Sequence, residues 1–371
     1  MELSFVSVSF IYQEILKVMN KIYYLIPDIK VRRKWSFIIA FKSIFKGQFF
    51  QYLGSCFIKK EKPVGGIKVI YQHCQMLNEL GYDAFPLMMG DYSGNFFGYN
   101  NEIKKFANEK ENIKEGDVVV ATEFEPYEGL VFRNSLKVIF VQNWWGVLKR
   151  LKPEDRHLDY IKLGYDHVFT CSQYCSEYVS ENMNIQASTI TNGIDLDVFC
   201  ESNIQRKSNR VLAMSRKNPA DLEKLKKLLS KTDIELHVVD GLSQSELILE
   251  YQSAEIFITL GYPEGFSLPP LEAMACGCIV IGFTGGGANE FMINEHTALV
   301  SNDGDCEGVY KNIIRIQQDY GFKERLRRNG LKMASNYDLK NTKKQISDYY
   351  ETIFGKPASS VRTVIEIPNE A

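Results

Sequence analysis

The 371-residue chain lacks a strong charge of either sign, with 44 Lys and Arg against 46 Asp and Glu and a net charge of −2. That balance argues against the broad basic footprint of a nucleic-acid-binding protein. The sequence also lacks any apolar run of the roughly 18 residues that a membrane-crossing helix needs. Its N-terminus has Glu2 early, no basic lead and no small-residue cleavage site, so no secretory signal is expected. The eight cysteines include the close pairs Cys171/Cys175 and Cys276/Cys278. Neither has a second pair at zinc-site spacing. Buried free thiols in a reducing, cytoplasmic setting are the expectation.

What is present describes a globular chain, 45% hydrophobic and 24% charged, long enough for two domains with separate cores. From Lys21 onward, strand-like runs alternate with amphipathic helical ones. The run KIYYLI reads as a strand. GGIKVIYQHCQMLNELG reads as a helix, with Ile67, Ile70, Tyr71, Cys74, Leu77 and Leu80 on one face and Gly81 as its stop. GDVVVAT, KVIFVQ and HVFTCS are apolar enough for buried strands. The alternation pauses over the polar stretch 196–210, which reads as a linker, and then restarts. RVLAMS, IELHVVD, IFITLG and CIVIGF are the second set of strands, and Asn218–Pro219 marks a helix start by cap and first-turn proline. After Cys306 the pattern is helical nearly to Gly355.

Two runs of strand–helix alternation predict an α/β chain of two doubly wound, Rossmann-like domains facing a cleft. The expected organisation has residues 1–18 as an extension before Met19 and 19–200 as the first domain. The second domain is 201–337, followed by a C-terminal helix at 338–355 that crosses back and a tail at 356–371. One segment breaks the rhythm. Lys30 to Lys60 holds eight Lys and Arg and no acidic residue. Wound as a helix, this 30–61 insertion puts Phe37, Phe41, Phe45 and Phe49 opposite Lys42 and Lys46. Two readings stay open: a helix packed on the first domain, or a peripheral contact with an anionic membrane surface on the cytoplasmic side.

The densest signal is PEGFSLPPLEAMACGCIVIGFTGGG, Pro263 to Gly287. It sets Glu264 and Glu272 around a loop that runs from a strand into a helix near Pro269–Pro270, with glycines crowded behind. A helix N-terminus offers unpaired N–H groups and the positive end of the dipole, so it favours a phosphate. A carboxylate in the first turn, as Glu272 is expected to be, would repel a bare anion. It makes sense as an acceptor for hydroxyls such as a ribose diol.

This stretch resembles the donor-binding signature of the GT-B glycosyltransferases of the large retaining family 4, usually written EGFGLPPLEAMACGCPVV. Three other segments resemble family elements in the same order: PVGGIKVI the glycine loop of the first domain, TNGIDLDVF the strand before the linker, and RVLAMSRKN the basic diphosphate loop. The resemblance implies transfer of a sugar from a nucleotide-diphosphate sugar to a saccharide or lipid-linked acceptor, with retention and with no metal or other cofactor. It implies Glu264 as the catalytic carboxylate beside the donor sugar, with Gly265, Phe266, Ser267 and Leu268 holding sugar and phosphate. Glu272 would bind the ribose, Arg216 and Lys217 the diphosphate, and Gly65 and Gly66 would admit backbone close to the reaction centre.

Departures from the pattern are specific. Arg and Lys are usually five residues apart, whereas here they are adjacent and Asp221 takes the fifth place. Where many members carry a His after the fourth strand, this chain reads FVQNWWG, with Gln142 and Asn143 as candidate polar contacts. Ser267 replaces the commoner Gly. Asp195 and Asp197 imitate the metal-binding Asp-x-Asp of another glycosyltransferase fold but lie in the linker strand. A nucleotide-sugar epimerase and a non-catalytic binding module of the same fold are the alternatives.

Overall fold

The computed structural model describes residues 20–28, 30–31, 60–61, 65–90, 98–215 and 217–354. The bulk of the basic insertion and Arg216 lie outside the described residues. Among the described residues no helix is long and apolar enough to cross a membrane.

Two parallel sheets organise the chain. The first is built from β1 (Lys21–Ile26), β4 (Asp83–Met88), β5 (Lys104–Lys105), β6 (Val118–Thr122), β7 (Leu136–Val141), β8 (His167–Thr170) and β9 (Ser188–Thr189). Their order is β5-β4-β1-β6-β7-β8-β9. A separate antiparallel pair joins β2 (Lys30–Val31) to β3 (Lys60–Glu61) at the two ends of the insertion. The second sheet holds β10 (Lys207–Met214), β11 (Glu235–Val239), β12 (Ala254–Thr259), β13 (Ile279–Gly282) and β14 (Ala298–Val300), in the order β11-β10-β12-β13-β14. β1 and β12 are buried along nearly their whole length. This is the signature of parallel strands covered on both faces, and it explains their continuous apolar sequence.

The chain forms two compact units that part inside β7: one runs to Val138 and includes residues from Glu351, and the other is Ile139–Tyr350. Residues 142–175, which follow β7 and β8, bond directly to the loops at 264–290.

In the second sheet, β10 is followed by the helix Pro219–Leu229 and then by β11 on one side. The next strand, β12, returns to the other side of β10. The chain thus reverses direction across the sheet between β10 and β12, which opens a crevice at their carboxyl ends. Val211, Ile256, Ile258, Ile279 and Ile281 of the strands pack with Leu222, Leu225, Val309 and Ile313 of the flanking helices beneath it.

Several local expectations are corrected. Asn218 does not cap the helix Pro219–Leu229: its φ is 51°, it makes no side-chain cap bond, and its amide instead faces the Leu260–Tyr262 backbone. The linker stretch 196–210 ends in strand, because β10 begins at Lys207. It is also tethered, since Arg206 donates to Ala254 O at 2.8 Å and to Cys276 O. The helix Gln244–Ser253 begins with a capping box, Ser243 with Glu246, in which each side chain satisfies the other's backbone N–H. Among the described cysteines all are free, and all but Cys200 are buried.

Candidate functional site

The crevice between β10 and β12 is bordered by the loops that follow them. The first supplies Lys217. The second, Leu260–Ser267, supplies Glu264 and leads into the helix Leu268–Ala275. Lys217 Nζ lies 2.9 Å from Glu264 Oε2 and donates to Pro263 O at 2.8 Å. A small cavity there is lined by residues that include Met214, Lys217, Thr259, Glu264, Ser267 and Pro269. Glu264 and Lys217 thus come together, and Arg216 falls outside the described residues.

The glycines behind Glu264 are a packing requirement. Glu264 N donates to Gly285 O at 2.8 Å, and Gly287 N donates to Glu264 O at 3.0 Å, forming a short parallel bridge. A Cβ on Gly287 would lie 2.2 Å from the Gly265 carbonyl carbon, and one on Gly265 would lie 1.7 Å from Gln142 O. No side chain fits at either place. The bridge also leaves the Glu264 carboxylate pointing to Lys217 rather than into the second sheet's core.

Two residues of the motif play local roles that composition hides. Ser267 has φ 71°, a left-handed conformation that a side-chain-bearing residue adopts only at a cost. That geometry explains why the pattern commonly has Gly there. Phe266 turns its ring inward, 5.5 Å from Phe291 and 5.7 Å from Tyr337 between centroids, and so anchors the loop in the core. Only its backbone, with that of Gly265 and the half-buried Leu268, is left for a ligand.

Glu272 needs a correction. The helix starts at Leu268, so Glu272 falls in the second turn, and there is no acidic residue in the first. It is 6% exposed and accepts from the Tyr251 hydroxyl at 3.5 Å. Burial, and next the Glu272 charge, push the Tyr251 phenol well above its ordinary range, so it remains a neutral donor. The same hydroxyl lies 3.8 Å from Met214 Sδ, and Met214 lines the cavity.

Asp221, which stands where the pattern has Lys, is 4% exposed and ties two elements together. It accepts from Lys224 Nζ at 2.9 Å and from the Tyr262 hydroxyl at 2.9 Å, so it braces the loop leading to Glu264. Burial alone would raise its carboxyl. The bonds from Lys224 and Tyr262 outweigh burial and hold it below the usual carboxylate range. Gly65 and Gly66, half-buried, open the helix Gly65–Glu79 in the other unit. Asp195 Oδ1 accepts from Asp197 N at 3.0 Å, a local turn contact.

Sequence reasoning missed the residues that reach the motif from the first sheet. Ser172 Oγ donates to Gly265 O at 2.7 Å, Trp144 Nε1 donates to Glu264 O at 3.1 Å, and Tyr174 N donates to Glu290 Oε1 at 2.9 Å. Burial pushes the Glu290 carboxyl up, although bonds from the Tyr174 and Gln173 N–H groups oppose it. In FVQNWWG, Gln142 accepts a bond from Cys171 Sγ on its backbone carbonyl at 3.4 Å. The side chain that reaches Glu264 is the next residue but one.

Residues 198–333 match the model of the family described as glycosyl transferases group 1. The chain is similar to an alpha-1,6-glucosyltransferase of Actinobacillus pleuropneumoniae serotype 7, 26% identical over 254 residues, or 62% of this chain and 72% of that one. Its fold is similar to that of a sucrose-phosphate synthase from Thermosynechococcus elongatus, with a TM-score of 0.64 at 16% identity, covering 90% of this chain and 99% of that one. It is also similar to Anabaena HepE, solved in complex with UDP and glucose: TM-score 0.68, 12% identity, 90% of this chain and 100% of that chain.

Proposed function

We propose that this chain, which has the GT-B fold, is a glycosyl transferase of group 1 that moves a sugar, with retention and without a metal, from a nucleotide-diphosphate sugar to a glycan or lipid-linked acceptor. One observation carries the reading: Glu264 and Lys217 meet at the carboxyl ends of β10 and β12, beside the start of the helix Leu268–Ala275. As the bond from the sugar's anomeric carbon to the diphosphate breaks, negative charge gathers on the phosphate and positive charge on the sugar. Lys217, Arg216 and the helix N–H groups meet the first, and the Glu264 carboxylate meets the second. Glu272 accepts from the ribose hydroxyls. A metal would duplicate charge that these groups supply.

The donor class draws support from the kinship with an alpha-1,6-glucosyltransferase and from a neighbour of like fold that was solved with UDP and glucose. UDP-glucose is accordingly the first donor to test, in a panel with GDP, ADP and dTDP sugars and with EDTA present or absent. Transfer that survives EDTA, giving a product whose anomeric configuration by NMR equals the donor's, supports the proposal. Turnover lost in EDTA and restored by Mg²⁺ or Mn²⁺ refutes the metal-independent part, and an inverted product refutes retention.

A further inference from the structure

Trp144 makes a contact unlike the others that reach the motif from the first sheet. Ser172 bonds to Gly265, and Glu290 receives the Tyr174 N–H, but Trp144 bonds to the backbone of the candidate catalytic residue itself. Its indole N–H is shared between Glu264 O at 3.1 Å and Gly285 O at 3.3 Å. Those carbonyls belong to the two sides of the bridge that fixes Glu264: Gly285 O also accepts from Glu264 N, and Glu264 O also accepts from Gly287 N. The indole therefore pins both strands of the bridge at once.

The glycine loop is shaped to admit it. A Cβ on Gly286 would lie 2.9 Å from the indole nitrogen and 2.6 Å from the Tyr174 ring. The indole in turn packs on Tyr174 and Tyr178, with centroids 5.9 and 5.3 Å away. A rigid ring held on two aromatic neighbours presents its single donor in one direction. Of the glycine run, Gly286 is thus the member matched to a partner outside the second sheet.

We propose that Trp144 is a positioning residue for Glu264, its N–H holding the Glu264–Gly285 backbone so that the carboxylate stays aligned with Lys217 and the cavity. The inference rests on the reading that Glu264 acts beside the donor sugar. It concerns orientation rather than donor affinity, so it acts on kcat.

The test compares Trp144→Phe, Trp144→Leu and replacement of Trp144 by β-(3-benzothienyl)alanine, which keeps the indole shape and exchanges N–H for sulfur. The Phe variant and the isostere should each lose about tenfold in kcat, as expected for one hydrogen bond that matters at the transition state. Donor KM should stay within about twofold of wild type and Tm close to it. Combined with Glu264→Gln, the isostere should cost little more, because both changes act through one group. If the Phe variant does not fold, the isostere decides alone. Full kcat in the isostere, with loss confined to Trp144→Leu, would show a packing role and overturn the proposal, as would a loss that simply multiplies with that of Glu264→Gln. If Glu264→Gln itself kept wild-type kcat, the reading of Glu264 would fail and this inference with it. Loss in Glu264→Gln alongside an unaffected isostere would overturn only the role of Trp144.

Discussion

Lys217 and Glu264 form an ion pair at 2.9 Å in which the lysine side chain is 33% exposed and the glutamate 9%. The asymmetry matters more than the pairing energy, since partly exposed pairs contribute little to stability. The nearly buried carboxylate is fixed by the backbone bridge, while the ammonium is the more exposed partner and, on the proposed reading, the one that meets the diphosphate. With Asp221 engaged by Lys224 and Tyr262, Lys217 is the cation of this loop that the described residues set beside Glu264.

The two partners should therefore fail differently. Lys217→Met removes charge from the diphosphate side and should raise donor KM about tenfold, in line with one charge-assisted bond. Glu264→Gln keeps size but removes the charge that faces the sugar, and should lower kcat about 10²-fold with donor KM little changed. Steady-state kinetics with the donor varied at saturating acceptor separates the two.

On the proposed reading Glu272 binds the ribose, a part of the donor that does not change during transfer, so its contribution should be the same in ground and transition states. Glu272→Ala should raise donor KM by roughly five- to 150-fold while kcat holds. Because the substitution also leaves the buried Tyr251 hydroxyl without Glu272, Tyr251→Phe is made alongside it. The double variant should regain part of any lost Tm without regaining donor affinity, read by thermal unfolding and by donor titration.

Ser267→Gly should stabilise the protein. The left-handed backbone costs Ser roughly 1–2 kcal/mol, and the extra freedom of Gly in the unfolded chain returns roughly 0.5–1 kcal/mol of that. A gain of up to about 1.5 kcal/mol, or up to about 3–6 °C in Tm, is expected. Calorimetry showing a lower Tm would mean that the Ser hydroxyl outweighs the strain.

Asp221 sets an acid-side dependence of stability. Its folded carboxyl sits below the ordinary value of 3.8, so folding favours the charged form. The stabilisation is complete above that ordinary value and is lost as pH falls through the lowered folded one. Asp221→Asn should lower Tm by about 2–6 °C at neutral pH. The gap from wild type should close as the solution is acidified past the carboxylate range. Thermal scans over a pH series check this, and a gap that widened in acid would contradict it.

The basic insertion carries a separate expectation, drawn from sequence alone. If its Phe37/Phe41/Phe45 face enters an interface, the protein should sediment with anionic vesicles and be released as salt rises, since each Lys near the surface contributes about 1 kcal/mol. Changing Lys42 and Lys46 to Glu should abolish sedimentation with the fold intact by circular dichroism. Equal sedimentation of both proteins would refute the contact.

Much of the second sheet was legible in the sequence because its signals are local. Continuous apolar runs define β12 and β13. The dense motif from Glu264 to Gly287 marked the loop and its helix, and its carboxylates were picked out by the family resemblance rather than by their spacing. Weaker strands such as Ala298–Val300 escaped, being three residues long and shaped by pairing rather than by pattern.

What only the tertiary structure decided is who touches whom across long sequence separations. Trp144 meets Glu264 120 residues later, and Ser172 meets Gly265 93 residues later. No periodicity records such contacts, because they arise where the loops after β7 and β8 meet the loop after β12, and the hydrogen bonds depend on backbone carbonyls that every residue carries. The sequence shows glycines at 265, 286 and 287 without saying why. The reason, a carbonyl 1.7 Å from where one side chain would begin and an indole nitrogen 2.9 Å from another, exists only in three dimensions.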